Sequence, residues 1–432
     1  MYRTMLLKLK KIFSTDLVKV TSLNSVATLV RMLTGLVSGK VVAIQLDREG
    51  MALLGQLTSF SMILLAISGA GIRNGVTKHV AQYADSRKRY ELFLSTGFWI
   101  VFIASALCGL VLIIGAPYFA GRILRDSHYS AVFYIFGATI ILYALNDLLI
   151  SIINGFREFR KYVIVNITGS VVGLIFTVVL SFTFGIYGAL ISFVTYQSIV
   201  VLVTLMLIAK SPKFEWKMFF GRFSKTAAMR LLSYSKMAIV TAATLPLSQW
   251  AVRDFIITHV GKTNAGSWEA MNKISNIYLM VITTSLSVYY LPKLATLKTN
   301  KEIKNEVMTV YKLLVPGLVI FSLLLILFRY YIISILFTEN FQDMQQFFAP
   351  QLLGDLLKMS TWVLGYLLVA RAMTKTYIFV EVLSCAIFVG LSMLFVSLFG
   401  TIGATIGYAA AFLCQLLIMI FIFRKLLFTK YE

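Results

Sequence analysis

The sequence predicts an all-α protein that crosses a membrane many times, and two observations carry this prediction. Hydrophobic residues make up 59% of the 432 residues and charged residues only 13%, about half the charged share of a soluble domain. The apolar residues also form runs of roughly 20, the length that an α-helix needs to cross a bilayer. We expect twelve spans, near residues 20–45, 51–77, 92–115, 131–154, 162–184, 186–209, 231–257, 267–291, 307–328, 347–370, 376–398 and 401–423.

The lysines and arginines predict how these spans are oriented. Both terminal tails and every second connection are basic and together hold 29 of the 40 lysines and arginines, whereas the remaining connections hold four. Basic connections stay on the cytoplasmic side of a membrane. We therefore expect both termini in the cytoplasm. The formal net charge of +22 follows from this topology and does not indicate a nucleic-acid partner.

Two motifs recur along the chain and predict an internal duplication. F-G-x-x-G-A-x-I opens the sixth span at Phe184 and the twelfth at Phe399, and D-L-L occurs at Asp147 and again at Asp355. Six spans per half give both halves one orientation, so we expect a pseudo-two-fold axis along the membrane normal. The predicted parts are a cytoplasmic basic tail (1–19), an N-lobe with helices 1–6 (20–209), a cytoplasmic interfacial linker (210–230), a C-lobe with helices 7–12 (231–423) and a cytoplasmic tail (424–432).

The linker mixes aromatic and basic residues, a pattern typical of a helix that lies on an anionic membrane surface. A merely solvated linker is the alternative. The residues concerned are Phe214, Phe219, Phe220 and Phe223 among Lys213, Lys217, Arg222 and Lys225.

Ten charged residues lie well inside the spans, and all fall in spans 1, 2, 4, 7, 8 and 10; Glu381, early in span 11, and Arg329, late in span 9, are exceptions near the membrane interfaces. The six spans are three matched pairs under the repeat. A charge inside a membrane is costly and usually faces a water-filled cavity or a partner, so we expect a positively charged cavity between the lobes. The ten are Arg31, Lys40, Arg73, Arg253, Lys273 and Lys358 among the cations, and Asp147, Asp254, Glu269 and Asp355 among the acids.

Polar residues on these spans recur every three or four positions, which places them on one face of each helix. A cationic cavity favours an anion, because arginine binds phosphate through two hydrogen bonds and lysine binds it as a point charge. The spacing of Asp355 with Lys358, and of Glu269 with Lys273, also allows purely structural ion pairs. The candidate substrate-binding residues are Arg31, Arg73, Gln249, Arg253, Lys273, Asn276, Asp355, Lys358 and Trp362, and the candidates for ion or proton coupling are Asp147, Asp355 and Glu381.

The sequence does not point to an enzyme or a metalloprotein. Its three cysteines all lie in predicted spans and its three histidines are scattered, so neither a disulfide framework nor a metal-ligand spacing is present. The outer connections are at most about 15 residues long, and none clusters an acid, a base and a nucleophile. We therefore expect no catalytic residue, no metal and no cofactor.

Three stretches resemble the Wzx-type polysaccharide flippases of the multidrug/oligosaccharidyl-lipid/polysaccharide exporter superfamily, and in particular the branch that serves enterobacterial common antigen and O-antigen synthesis. They are S-G-A-G-I-R-N-G-V-T-K-H-V-A-Q-Y (68–83), S-L-S-V-Y-Y-L-P-K-L (285–294) and G-D-L-L-K…G-Y-L-L-V-A-R-A (354–372). The resemblance covers the chain from about residue 20 to its end.

This resemblance implies a two-lobed, twelve-helix protein of the bacterial inner membrane. It implies that an undecaprenyl-pyrophosphate-linked oligosaccharide crosses from the cytoplasmic to the periplasmic leaflet. For the mechanism we expect alternating access by rocking of the two halves. We expect Arg31 and Arg253, on the matched spans 1 and 7, to face each other and to hold the pyrophosphate between them. Membrane lipid, a glycan polymerase and assembly proteins are the further partners implied. A multidrug exporter of the same fold and a membrane enzyme acting on lipid-linked glycans are the alternatives. The glycan, the energy source, the oligomeric state and the resting conformation stay open.

Overall fold

The computed structural model describes residues 16–83, 86–233 and 235–429, and of residues 16–23, 236 and 237 it describes the backbone only. Most of the predicted N-terminal tail (residues 1–15) and the last three residues of the C-terminal tail lie outside these ranges. In chain order the α-helices are α1 (Asp16–Ser68), α2 (Arg73–Gln82), α3 (Arg87–Ile114), α4 (Ala116–Phe119), α5 (Ser130–Gly155), α6 (Phe159–Ala209), α7 (Lys225–Leu232), α8 (Ser235–His259), α9 (Lys262–Ser285), α10 (Leu291–Thr296), α11 (Asn300–Leu327), α12 (Arg329–Leu336), α13 (Phe348–Ala370), α14 (Thr374–Phe399), α15 (Ile402–Ile422) and α16 (Arg424–Phe428).

Short 3₁₀ and π turns complete the described part of the chain. The 3₁₀ turns are Ser127–Tyr129, Trp216–Phe220 and Glu339–Phe347, and the π turns are Ala120–Leu124 and Leu286–Tyr290. Within the described ranges, nine helices are long and apolar enough to cross a membrane, and the longest of them span 45 and 51 residues. The prediction of an all-helical membrane protein is therefore confirmed.

The two longest helices are each broken by one non-helical residue. In α1 the break is at Asp47 (φ 53°, ψ −160°), and in α6 it is at Gly185 (φ 57°, ψ −135°). A positive φ combined with such a ψ is a region that glycine enters freely and other residues enter only under strain. Each of these long helices therefore consists of two helical pieces joined by a tight bend.

The repeated F-G-x-x-G motif makes the same bend twice. Its first glycine has φ 57° and ψ −135° at Gly185, and φ 65° and ψ −147° at Gly400. A Cβ atom added to its second glycine, Gly188 or Gly403, would lie 1.8 Å or 2.0 Å from the carbonyl oxygen eight residues earlier. Only glycine fits at the second position, because the backbone of the preceding helix occupies the space of a side chain.

A second pair of turns repeats at the same distance along the chain. Arg157 (φ 60°) and Ala372 (φ 52°), which are 215 positions apart, each stand two residues beyond the end of a helix. In both, the residue itself donates to a carbonyl three positions back and the next residue donates to one five positions back. This is the Schellman arrangement that closes a helix C-terminus. The same backbone turn thus occurs twice, at the spacing that the predicted duplication gives.

The chain separates into two compact units. Among the described residues, the first unit comprises those within 16–38 and 64–239, and the second comprises those within 39–63 and 240–429. The first unit has a core of apolar side chains from α2, α3, α5, α6 and the linker. In the second unit, apolar side chains of α9, α11, α13, α14 and α15 form the clusters that hold the helices together.

The linker packs into the first unit as two short helical pieces rather than one long helix. Phe214 and Phe219 are buried, and the ring of Phe219 stacks on Phe98 with 5.0 Å between centroids. Phe220 and Phe223 point away from this core and are 71% and 55% exposed. The aromatic residues of the linker therefore divide into a buried pair that anchors it and an exposed pair.

Residues 39–63, the tip of the first helical hairpin, are held in the second unit by charged side chains. Lys40 donates to the carbonyl oxygen of Ser334 at 2.9 Å and also to that of Phe337, at the C-terminal end of α12. A cation is favourable there because the last carbonyls of a helix are unpaired and carry partial negative charge. Arg48 forms an ion pair with Asp343 at 2.5 Å. Lys40 therefore caps the C-terminal end of a helix.

Candidate functional site

The first unit brings two of the predicted arginines into polar contacts. Arg73 forms an ion pair with Asp147, at 2.9 Å between Nη1 and Oδ1, and Arg31 donates to the side-chain oxygen of Asn166 at 2.9 Å. Both arginines are largely exposed in the described structure. Asn166 was not among the predicted residues. The Arg73–Asp147 pair joins span 2 to span 4, which spacing along one helix could not have revealed.

The backbone turn before α2 places Arg73 at the first position of this helix. The chain leaves α1 through Ala70 (φ 51°) and Gly71 (φ 61°) and enters α2 at Arg73. A cation in the first turn of a helix is unfavourable, because the N-terminal end carries partial positive charge. Asp147 offsets this unfavourable position, and the ion pair fixes the direction of the guanidinium.

In the second unit, Arg253 is fully engaged by side chains of the protein. It is 1% exposed, and its Nε and Nη2 atoms donate to Glu269 at 3.0 Å and 2.5 Å. Nη1 donates to Ser59 at 3.1 Å and to Gln56 at 3.4 Å. The guanidinium has a carboxylate of its own and does not need an added anion. Glu269, which could have paired with Lys273, pairs with Arg253 instead.

Asp355 is held by hydroxyl groups rather than by Lys358. It is fully buried and accepts hydrogen bonds from Ser275 and Tyr408, each at 2.7 Å, and from Tyr278. Three donors satisfy a buried carboxylate. The ion pair with Lys358 that the i,i+3 spacing allowed is not formed between these two described residues.

Lys358 consequently stands without a hydrogen-bond acceptor among the residues that the structure describes. It is 6% exposed, and its ammonium lies over three ring faces, 5.6 Å from the centres of Trp362 and Phe412 and 5.7 Å from that of Tyr408. Cation–π attraction stabilises the charge. Because the ring contacts are not hydrogen bonds to an oxygen acceptor, the N–H groups of the Lys358 ammonium remain available for a ligand.

Lys273 occupies a different place in the second unit. It is half-buried, and a Cβ added to Gly39 would come within 3.1 Å of its Nζ atom. No carboxylate of the described residues lies within ion-pair distance of Lys273. Asn276, one turn further along α9, is exposed.

Several predicted residues meet at a cavity inside the second unit. This cavity, which has an open mouth, lies between helices α8, α9, α13, α14 and α15, and the centre of a water-sized sphere can occupy about 70 Å³ of it. Gln249, Lys358, Trp362 and Glu381 were predicted and line it. Asn272 lines the cavity as well. It lies on the polar face of span 8 but was not among the predicted binding residues. Within the described ranges, no group of three or more His, Cys, Asp and Glu side chains could hold a metal ion.

The fold is shared with solved membrane transporters. An inward-facing multidrug resistance transporter of the MATE family, in the MOP superfamily, superimposes with a TM-score of 0.78 at 13% identity, over 93% of this chain and 96% of that chain. The lipid II flippase MurJ in an inward closed conformation gives a TM-score of 0.73 at 15% identity, over 94% and 87% of the two chains. At such identities these matches show a shared fold.

Sequence comparison then gives the family. The family model described as "Polysaccharide biosynthesis protein" matches residues 52–346, and the chain belongs to that family. Its relatives include proteins named Lipid III flippase from Escherichia coli (strain K12) and Shigella flexneri, each 29% identical over 399 residues, which is 92% of this chain and 96% of the relative. The resemblance to Wzx-type flippases is thereby confirmed.

Proposed function

We propose that the protein is a flippase that moves an undecaprenyl-pyrophosphate-linked oligosaccharide from the cytoplasmic to the periplasmic leaflet of a bacterial inner membrane. The observation that carries the proposal is the similarity to Lipid III flippases along 92% of the chain. The fold shared with a lipid II flippase supports it. These relatives are transporters by name, and the protein is a transporter rather than an enzyme.

The proposed architecture has twelve spans in two lobes. Nine long apolar helices are present in the described ranges, and breaks at Asp47 and Gly185 divide two of these into pairs. Helix α8, with 25 residues, adds one further span. The turns that repeat 215 positions apart support a division into an N-lobe (20–209) and a C-lobe (231–423). Two such lobes suit alternating access, with both termini in the cytoplasm.

In this proposal the phosphates are held by the cations that the protein leaves accessible or unpaired. Arg31 and Arg73 in the first unit and Lys273 in the second are the cations proposed to hold the phosphates, whereas Lys358 lines a cavity suited to another part of the substrate. Arg253 is assigned a structural role because Glu269 neutralises it. Among the coupling candidates, Asp147 stands out, because protonation would release its ion pair with Arg73. A glycan polymerase and assembly proteins are the proposed protein partners.

Reconstitution in liposomes tests the proposal. A fluorescent undecaprenyl-pyrophosphate oligosaccharide is incorporated, and a membrane-impermeant reagent that destroys the label reports the fraction left in the outer leaflet. We expect translocation with the unmodified protein, and at least about tenfold slower translocation with Arg31→Ala, a loss of about 1.4 kcal/mol. Arg31→Lys should recover part of the rate, because the charge remains while the two-pronged geometry is lost.

Lys312→Met, which removes an exposed lysine of α11, is the control and should translocate normally. Efflux of a cationic dye together with no movement of the lipid-linked glycan would contradict the proposal and favour the multidrug exporter.

A further inference from the structure

The cavity of the second unit contains hydrogen-bond donors that no described residue satisfies. The amide nitrogen of Asn272 and the hydroxyl of Ser384 are buried and lack a partner, and the ammonium of Lys358 has only aromatic rings beside it. All three residues line the same space. Buried donors are nearly always paired, so three that face one cavity indicate a ligand that brings acceptor oxygens.

The walls of the cavity restrict what that ligand is. Trp362 and Phe388 present aromatic surface to it, and the amide side chains of Gln249 and Gln415 lie on the same lining. A sugar ring matches such a lining, because it has an apolar C–H face that packs on aromatic rings and a rim of hydroxyl groups that both donate and accept. Pockets that combine aromatic walls with a few directed polar groups are typical of small-ligand sites.

The charged and polar groups of the cavity restrict the chemical class of the ligand further. Lys358 and Asn272 offer donors, which favour an sp² oxygen carried by the ring, either a carboxylate or an acetamido carbonyl. Glu381 lines the same cavity and can accept from ring hydroxyl groups. An ammonium and a carboxylate in one cavity suit a ring that carries both an acceptor group and hydroxyl donors, and they do not suit a hydrocarbon tail.

We propose that this cavity binds a single sugar ring of the transported glycan, a ring that carries a carboxylate or an acetamido carbonyl. The inference rests on the proposed flippase function and adds to it a place where the glycan is recognised. Asn272 and Lys358 bind the acceptor oxygen, Trp362 packs on the ring, and Glu381 receives a ring hydroxyl.

The test measures monosaccharide binding to the detergent-purified full chain by saturation-transfer NMR. N-acetylglucosamine, glucuronate and glucose are the probes. We expect transfer to N-acetylglucosamine or to glucuronate, whichever group the ring of the glycan carries, at least about tenfold tighter than to glucose. Lys358→Met and Asn272→Leu should each weaken that binding by about tenfold or more.

Measuring the unfolding temperature distinguishes a binding role of Asn272 from a purely structural one. Asn272→Leu replaces an unpaired buried donor by an apolar side chain of similar size, so its unfolding temperature should stay equal or rise while binding falls. Lys312→Met should change neither property. If Lys358→Met does not fold, Asn272→Leu alone decides the matter.

Three outcomes would overturn the inference. The first is no saturation transfer to any of the three sugars, which would mean that the cavity holds only water. The others are equal transfer to all three sugars and unchanged binding in Asn272→Leu. Translocation is measured separately. Normal translocation by Asn272→Leu removes this inference and leaves the flippase in place, whereas sugar binding without translocation of a lipid-linked glycan removes the proposed function.

Discussion

Arg253 and Lys358 are both buried cations of the second unit, yet their surroundings give them different roles. Arg253 has a carboxylate and two neutral acceptors within hydrogen-bond distance, while Lys358 lies over ring faces and has no hydrogen-bond acceptor among the described residues. A buried charge that is fully paired is a structural element, and removing its partner is costly. A buried charge without an acceptor indicates a binding site. The two residues should therefore respond to mutation in different ways.

Breaking the Arg253–Glu269 pair should destabilise the protein. Arg253→Met leaves a carboxylate that is only partly exposed, and Glu269→Gln leaves a buried guanidinium, so each should cost about 3 kcal/mol. The double variant removes both charges and should recover most of the loss. Thermal unfolding in detergent measures all three proteins. If Arg253→Met folds normally but loses substrate binding, the arginine is a ligand and the assigned structural role is wrong.

Exchanging the charges of Asp355 and Lys358 should not preserve function. The hydroxyls of Ser275, Tyr278 and Tyr408 are directed at a carboxylate at position 355, and a carboxylate at position 358 would face the negative faces of three rings. We expect Asp355→Lys with Lys358→Asp to accumulate poorly in the membrane.

Tyr408→Phe, which removes one donor to Asp355, should cost about 1.5–3 kcal/mol on its own. Accumulation is followed by fluorescence-detected size exclusion. A charge-exchanged variant that accumulates and translocates normally would show that the two residues act as a simple ion pair.

At the scale of single elements, the repeated glycine turn sets what its helices tolerate. Gly403 cannot accept a Cβ because a backbone carbonyl lies 2.0 Å from that position. We expect Gly403→Ala to destabilise the protein by about 3 kcal/mol, at the upper end for overpacking. Gly390 on α14 has no atom within 4 Å of an added Cβ and no positive φ, so Gly390→Ala should be neutral or favourable by up to about 1 kcal/mol.

Unfolding midpoints of the two alanine variants, measured side by side, check this contrast. Equal stability of both would contradict the assignment of the F-G-x-x-G turn as a close backbone approach.

The linker offers a second prediction for a single element. Phe220 and Phe223 are exposed beside Lys217, Arg222 and Lys225, a combination that suits an anionic membrane surface. A nitroxide attached at Phe220→Cys in anionic liposomes should be relaxed more by oxygen than by a water-soluble nickel complex, and one at Lys217→Cys should show the reverse. Nickel accessibility that is equally high at both positions would show that the linker is simply solvated.

For the whole molecule, the predicted topology can be tested by cysteine labelling in a background without Cys108, Cys385 and Cys414. Ser211 is a poor labelling site because it is buried and donates to Glu158 at 2.6 Å. Lys217, which is exposed, is therefore the labelling position chosen in the linker. A membrane-impermeant maleimide added outside should modify Ser127→Cys and leave Lys217→Cys unmodified. The opposite pattern would invert the assignment of both termini to the cytoplasm.

The sequence predicted what depends on composition and on short motifs. Hydropathy is enough to recognise membrane helices, and the F-G-x-x-G motif encodes a backbone turn in its own residues. Ion-pair partners were harder, because they can join distant parts of the chain: Arg48 pairs with Asp343, 295 positions away. Spacing rules within one helix suggested pairs for Lys273 and Lys358, but the preferred partners of Glu269 and Asp355 lie on other helices.

The contacts that hold residues 39–63 can form only late in the synthesis of the protein. Lys40 and Arg48 leave the ribosome early, but the groups that hold them, Ser334 and Asp343, are synthesised 294 and 295 residues later. During that interval Lys40, which lies inside a predicted span, lacks its partners, and the cost of an unpaired charge in a membrane is high. This segment therefore gains its stabilising partners only late in synthesis, and we expect a mutation at Asp343 to lower the amount of folded protein in the membrane.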